Sequence, residues 1–412
     1  MPPWAALLAA VSAALLLLVG GAPTAAAPPA AAAGSKRLLF DPRVVAARGA
    51  RSAAVAMGAA HKHGRPLLME DRPWEHTFLN MFPSIWYDPR LSKYRVWYWA
   101  AVECNGTACP KDPTARPAGT GMCDDADSAP PGMPRGASFR PFSAAILYAE
   151  SEDGILFTKP SLNLTALGGS KDNNAVLVGP KYVLDGFSVL LDERDPDPAR
   201  RWKMVSFTNA GHGSKPPFHG VGPKQLLAVS ADGFTWANWT ATIHDGRWDT
   251  YPSSLWDEQR KQYVIFDRLE PGPPKQLRTE AYLHSTGEDF LGSWSNTTWT
   301  GLNSSATRQP DQVVVFEYEG LWLGFGQMMN LPRGIANSVD LELAMATELQ
   351  GKWRWVAPGR HLIPRGANGS RDSCEIFGAR QVIPPAPSLF TLLTRGRTPP
   401  LRSTPQMLTK GS

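Results

Sequence analysis

The sequence predicts an all-β protein, a five-bladed β-propeller whose last blade is incomplete. Three observations predict it. One stretch is written twice, as NMFPSIWYDPRLSKYRVWY from Asn80 and as DTYPSSLWDEQRKQYVIF from Asp249. In both, a polar leader stands eight residues before an Asp (Asn80 to Asp88, Asp249 to Asp257), and that Asp stands six before a Tyr (Tyr94, Tyr263). A second repeat interleaves with the first: SEDGILF at Ser151, SADGFTW at Ser230 and STGEDFLGSW at Ser285. Third, 38 Pro, 37 Gly and 15 Trp in 412 residues, without long helical periodicity in mid-chain, make a turn-rich, aromatic β composition.

Each element follows from these repeats. A unit is an inner strand with a polar leader, a turn at an Asp, a strand rich in Tyr, Trp and Val, a third strand, and a closing hairpin. The third strands read AAILYAES, KQLLAVS, EAYLHS and LELAMA. Asp-Gly between β-prone flanks is a hairpin signal, because Gly accepts the positive φ of the turn. ATELQGKW, leading to Trp353 and Trp355, is a worn fourth copy. Leaders fall at Asn80, Asp185, Asp249, Asp311 and Asp372, about 60 to 105 residues apart. Four strands per unit at that period is a propeller's requirement, and aromatics are needed between blades, which gives most tryptophans a packing role.

The flanks differ in kind. Residues 1–33 read as a signal peptide: the apolar run AALLAAVSAALLLLV at 5–19 precedes small residues with A-x-A-like cleavage points. Fifteen apolar residues are short for a bilayer, so no membrane insertion is expected after cleavage. Six N-x-[S/T] sequons, at Asn105, Asn163, Asn238, Asn296, Asn303 and Asn368, agree with secretion. Residues 34–79 form a lead-in and 80–394 the propeller. Within it, 104–141 is a Pro/Gly-rich insertion carrying Cys104, Cys109 and Cys123. In an oxidising compartment these suggest a disulfide within 104–123, with a second bridge to Cys374 open. Residues 395–412 are Pro- and Thr-rich and read as a disordered tail, leaving the ring poorly closed and the protein marginally stable. The formal net charge of +5 is scattered among acids, so no nucleic-acid partner is expected. No C-x-x-C or paired His accompanies the cysteines, and neither metal nor cofactor is called for. A monomer is expected.

MEDRPWEH, PSIWYDPRLSKYRVWY, ILYAESEDGILFTKPSL, DERDPDPARRWKMV, SADGFTW, WDTYPSSLWDEQRKQYVIF and DSCEIFGA together resemble secreted proteins related to the N-terminal domain of family 32 glycoside hydrolases. These stand in the five-bladed propeller superfamily of invertases, levansucrases and arabinanases. The resemblance runs from about Leu38 to Pro385. It implies a funnel with three carboxylates, serving as nucleophile or base, supporting acid and general acid, set about a glycosidic bond. By this resemblance Asp185, in VLDGFSV, takes the supporting position. Blade one offers Asn80 where an Asp is expected, the nearest acids there being Glu75 and Asp71. Glu375 is nearest to the acid Glu in type but lies in the last blade.

The site candidates are therefore Asp185, Asp249 and Glu75 as catalytic groups, and Asn80, Asp311, Asp372 and Arg268 as substrate-binding groups. Asp88, Asp192 and Asp257 sit at tight turns and read as structural caps of backbone N–H groups. His61, His63 and His76 read as surface or packing residues. The leading function is a secreted glycoside hydrolase-like protein acting on an oligo- or polysaccharide. A non-catalytic glycan- or protein-binding propeller is the second reading. A sialidase-like enzyme is third, because S-x-D-G-x-x-[F/W] approximates an Asp-box with one residue fewer.

Overall fold

The apolar runs of the repeats pair locally with their chain neighbours, so each unit closes as an antiparallel meander. The computed structural model describes residues 38, 40–43, 57, 60–75, 83–104, 142–167, 169–180, 186–208, 224–241, 252–269, 277–302, 304–331, 338–367, 370, 372 and 376–380. The signal peptide, the insertion beyond Cys104, the cysteine pairing and the tail from 395 lie outside the described residues. Two units are distinguished, Met1–Ala53 and Ala54–Ser412. In the first, Asp41 accepts from Arg43 N at 2.8 Å and Arg43 Nε at 3.0 Å, closing a turn. The second carries the fold.

Blade one is β1 (Ser84–Asp88), β2 (Lys93–Cys104), β3 (Phe142–Ser151) and β4 (Ala175–Pro180). Blade two is β5 (Gly186–Leu191), β6 (Trp202–Thr208), β7 (Lys224–Ser230) and β8 (Ala237–Ala241). Blade three is β9 (Ser253–Asp257), β10 (Gln262–Leu269), β11 (Thr279–His284) and β12 (Thr298–Trp299). Blade four is β13 (Arg308–Tyr318), β14 (Leu321–Asn330), β15 (Ser338–Ala346) and β16 (Arg354–Trp355). Each sheet runs in chain order from inner to outer strand. Four blades are thus seen among the described residues, where the repeats led to five. No helix among them is long and apolar enough to cross a membrane.

The faces between blades are apolar. Trp97, Trp99, Tyr148, Phe187, Trp202 and Met204 fill the joint of blades one and two. Phe207, Leu227, Tyr263, Ile265 and Phe290 fill the next. Phe266, Tyr282, Val313, Trp322 and Trp353 fill the joint of three and four. Every described tryptophan except Trp299 packs in one of these clusters or against blade one's other face.

The repeated Asp explains why one stretch is written twice. Asp88 Oδ1 accepts from Arg90 N at 3.1 Å, Asp192 Oδ1 from Arg194 N at 3.1 Å, and Asp257 Oδ1 from Gln259 N at 3.0 Å. Each thereby caps its own β-turn. Each also reaches the following blade: Asp88 Oδ2 accepts from Arg201 at 3.1 Å, Asp192 Oδ2 from the Tyr263 hydroxyl at 2.5 Å, and Asp257 Oδ2 from Gln350 Nε2 at 3.2 Å. One carboxylate therefore shapes a turn and joins two blades. Blade four turns without an Asp, through Glu319 and Gly320 at φ 51° and 72°, the positive pair of a two-residue hairpin.

The Ser-x-Asp-Gly copies form wider loops than a two-residue hairpin. In blade two the Ser230 hydroxyl donates to Asp232 Oδ1 (2.9 Å), whose carboxylate accepts from Phe234 N and Thr235 N; blade one repeats this with Ser151, Asp153, Ile155 and Leu156. These polar groups are spent on holding their own loop. The Gly233 carbonyl also accepts from Trp97 Nε1 of blade one at 2.8 Å. A Cβ on Gly233 would stand 2.6 Å from Trp97 Cζ2, whereas one on Gly154 meets the Tyr94 ring at an ordinary 3.4 Å. Both glycines have similar positive φ, 78° and 75°, so the backbone strain of a substitution cancels between them. Gly233→Ala is expected to cost about 1–3 kcal/mol more than Gly154→Ala, the range for overpacking, measured by urea unfolding. Equal costs would show that the Trp97 contact is not rigid.

Where a fifth blade would stand, a short segment and the lead-in are found. Ile376 N donates to Val339 O of blade four (3.1 Å) and Arg380 N to Pro83 O of blade one (2.8 Å). Ala379, Leu68 and Trp74 cover the free face of blade one, over Ile85, Val96 and Tyr98. The sequence placed the opening of the last unit at Asp372, immediately before this segment.

Candidate functional site

Small residues bring the inner strands together. Val189 N donates to Ser84 Oγ at 2.9 Å, and Ser254 N to Ser188 Oγ at 3.4 Å, so β1, β5 and β9 touch directly. The upper ends of the blades are those where inner strands begin and second strands finish.

At that end, blades three and four gather a charged cluster from three strands, β10, β11 and β13. Arg268, near the end of β10, donates to Asp311 of β13, and Arg278 NH1 lies 3.7 Å from the same Asp311 oxygen. Asp267 accepts from Gln225 Nε2 of blade two at 3.0 Å and from Arg268 N at 2.7 Å.

Glu280 is opposite Arg268 in the β10–β11 register. It is 0% exposed, and neither carboxyl oxygen has a hydrogen-bond partner. The Val313 N–H lies toward it without closing a bond of normal geometry. Burial pushes its carboxyl well above the usual glutamate range, and the Asp267 carboxylate adds to the rise, against weaker pulls from Val313 N–H and Arg268. The cluster thus sets a carboxyl raised by burial beside two carboxylates that accept from donors. Such a pair of unlike environments can divide acid and base roles.

The sequence candidates are distributed differently. Arg268 and Asp311 are brought together, with Asp311 turned into the joint between blades. Glu75 is buried elsewhere, accepting from the Tyr98 hydroxyl (2.6 Å), Lys159 Nζ (2.7 Å), Asp71 N (3.0 Å) and Arg72 N (3.1 Å). It clasps the lead-in to blade one and, among the described residues, is bonded to no other candidate. Asp372 binds Lys62 and accepts from the Ser370 hydroxyl at 2.8 Å. Lys62 and Ser370 lower the Asp372 carboxyl below the usual range, outweighing partial burial, the largest single influence, which acts to raise it. Asn80, Asp185 and Asp249 lie outside the described residues. Among the leaders that are described, Asp311 and Asp372, each carboxylate faces a cation.

Glu280 and Asp267 were not singled out from the sequence, because neither leads an inner strand. Their signal was a charged residue inside an otherwise apolar strand, in QYVIFDRL and TEAYLH, both almost wholly buried.

No known protein family and no curated protein matches the chain by sequence. Solved structures similar to it include an N-acetylgalactosamine deacetylase from F. plautii in complex with blood group B trisaccharide, at 14% identity and TM-score 0.41, covering 60% of this chain and 73% of that one. An α-L-arabinofuranosidase from Podospora anserina in complex with cellotriose is similar at 10% identity and TM-score 0.40, covering 76% and 80%. An α-L-arabinanase from Penicillium chrysogenum complexed with arabinobiose is similar at 11% identity and TM-score 0.35, covering 66% and 64%. At these scores the likeness carries no argument, and the propeller rests on the blade order above.

Proposed function

We propose that the chain is a secreted glycoside hydrolase-like protein that acts on glycosidic bonds with carboxyl groups at the upper ends of its blades. The observation that carries this reading is Glu280, a fully buried carboxyl without hydrogen-bond partners among the described residues, beside Asp267 and the Arg268–Asp311 pair. Glycosidic cleavage needs one protonated and one ionised carboxyl, and burial, which raises Glu280, favours the first of these. Arg268 and Arg278 supply donors for sugar hydroxyls or for a substrate carboxylate. The test is to express the secreted chain and assay aryl glycosides and plant and algal polysaccharides, alongside Glu280→Gln and Asp267→Asn. Turnover that falls in either variant is expected. No turnover of any substrate, or parental turnover in both variants, overturns the reading.

A second reading has its own observation. Glu280 is closed from solvent, and Asp311, Asp372 and Glu75 each pair with Arg268, Lys62 or Lys159. Neutralised carboxylates are what a non-catalytic, glycan-binding propeller would present. Saturable binding of a polysaccharide without turnover would select it.

A further inference from the structure

The six described asparagines fall into two groups. Asn173, Asn174 and Asn330 stand outside sequons, and their side-chain amides are all engaged. Asn173 Nδ2 donates to Thr165 O and Ser170 O (both 2.9 Å), Asn174 Nδ2 to the Tyr98 hydroxyl (2.8 Å) and Tyr148 O (2.7 Å), and Asn330 Nδ2 to Ser338 Oγ (3.0 Å) and Asp340 Oδ2 (2.7 Å). Asn163, Asn238 and Asn296 are the sequon members. All three are exposed, and none of their side-chain amides makes a hydrogen bond among the described residues. An amide nitrogen that is outward and unengaged is what a bulky N-linked sugar needs in order to be tolerated by the folded chain.

Their places in the fold add a role. Asn238 lies on β8 and Asn296 two residues before β12, the outer strands of blades two and three. The outer edges are not equally protected. β12 and β16 have two residues each, whereas the outer strands β4 and β8 are longer and stand at the ends of their sheets. β8 presents five residues and no further neighbour among the described strands. An open edge of that kind pairs readily with other chains unless something blocks it. Asn238 sits at the register shift of β8, between the pairs Val229–Ala237 and Leu227–Thr240, with φ 55°. Asn tolerates this left-handed conformation better than most residues.

We propose that Asn163, Asn238 and Asn296 carry N-linked glycans, and that the glycan on Asn238 shields the open edge of blade two from pairing with other chains. This rests on secretion and is independent of whether the upper cluster hydrolyses anything. The test expresses the full chain in a mammalian secretory line and maps glycopeptides. Thr165→Ala, Thr240→Ala and Thr298→Ala remove one sequon each while keeping the asparagines, two of which hold positive φ. Occupancy at all three asparagines is expected, with one glycan lost per variant. A secreted chain unmodified at these positions overturns the proposal. Thr240→Ala is further expected to associate, seen as a doubling of apparent mass in size-exclusion chromatography with light scattering. If that variant is not secreted, the secreted parent is deglycosylated in native buffer and measured in the same way. A chain that stays at monomer mass without the Asn238 glycan overturns the shielding role.

Discussion

Lys203→Met is expected to destabilise the protein by about 3–5 kcal/mol, the range for removing one partner of a buried ion pair. Lys203 is 0% exposed, and its Nζ lies 3.0 Å from Asp192 Oδ2, 2.9 Å from Asp195 Oδ2 and 2.8 Å from Arg200 O. Methionine retains most of the stem and its packing but leaves two carboxylates facing each other. The loss concerns the joint of blades two and three, because Asp192 is also the acceptor for Tyr263. Adding Asp195→Asn should return part of it, since one of the two carboxylates that Lys203 held is then uncharged. A double variant as unstable as the single would place the effect in packing rather than charge.

The pH dependence of that variant follows from Asp192. In the parent, burial acts to raise the Asp192 carboxyl, but the Tyr263 hydroxyl and Lys203 outweigh it and hold the group below the usual aspartate range. A depressed folded pKa contributes stability above the unfolded value of about 3.9 and loses it as pH falls through the lower folded value. Without Lys203 that depression weakens, leaving the Tyr263 hydroxyl and Arg194 to work against burial, so the variant has less of this contribution to lose. The gap between parent and Lys203→Met should therefore be widest near neutrality and narrow toward pH 4. Asp88 behaves like Asp192 in the parent: burial raises it, and Arg201 with Arg95 more than offsets that. Acid should loosen the first two blade joints together.

These clasps show what the sequence made legible. Asp88, Asp192 and Asp257 were readable as turn residues because a β-turn needs a short acceptor at a fixed place, and that need is local. Their partners Arg201, Tyr263 and Gln350 lie 113, 71 and 93 residues away and carry no local signature. The strand order of the four blades was legible for the same local reason, each strand pairing with its chain neighbour. Glu75 shows the limit. Its chemistry suited a catalytic acid, yet whether a carboxyl is free or bound to a lysine depends on what Lys159, 84 residues on, does in space. Glu280 was overlooked for the converse reason, since an acid within an apolar strand looks like an interruption until its burial is known.

Glu280→Gln is the substitution with the largest expected effect on activity, a fall of about 10²–10⁴-fold in kcat, the usual contribution of a general acid. Gln keeps the size and the neutrality of the protonated acid but cannot give up a proton. Stability should move in the opposite direction, and this separates the two readings of the site. A group whose folded pKa is raised stabilises the fold fully below its unfolded pKa and loses that contribution as pH rises toward the folded value. For Glu280, buried and beside Asp267, the parent should therefore lose stability above about pH 4.3 at up to about 1.4 kcal/mol per pH unit, which Gln does not. The variant should match the parent near pH 4 and exceed it at pH 7 to 8, measured by urea unfolding across that range. A stability gain together with lost turnover and an unchanged circular dichroism spectrum assigns the acid. The same gain with parental turnover would make Glu280 a structural acid, and would leave the upper cluster as a binding surface. No gain at neutral pH would mean that Glu280 is ionised in the folded chain, and the acid role would fall with it.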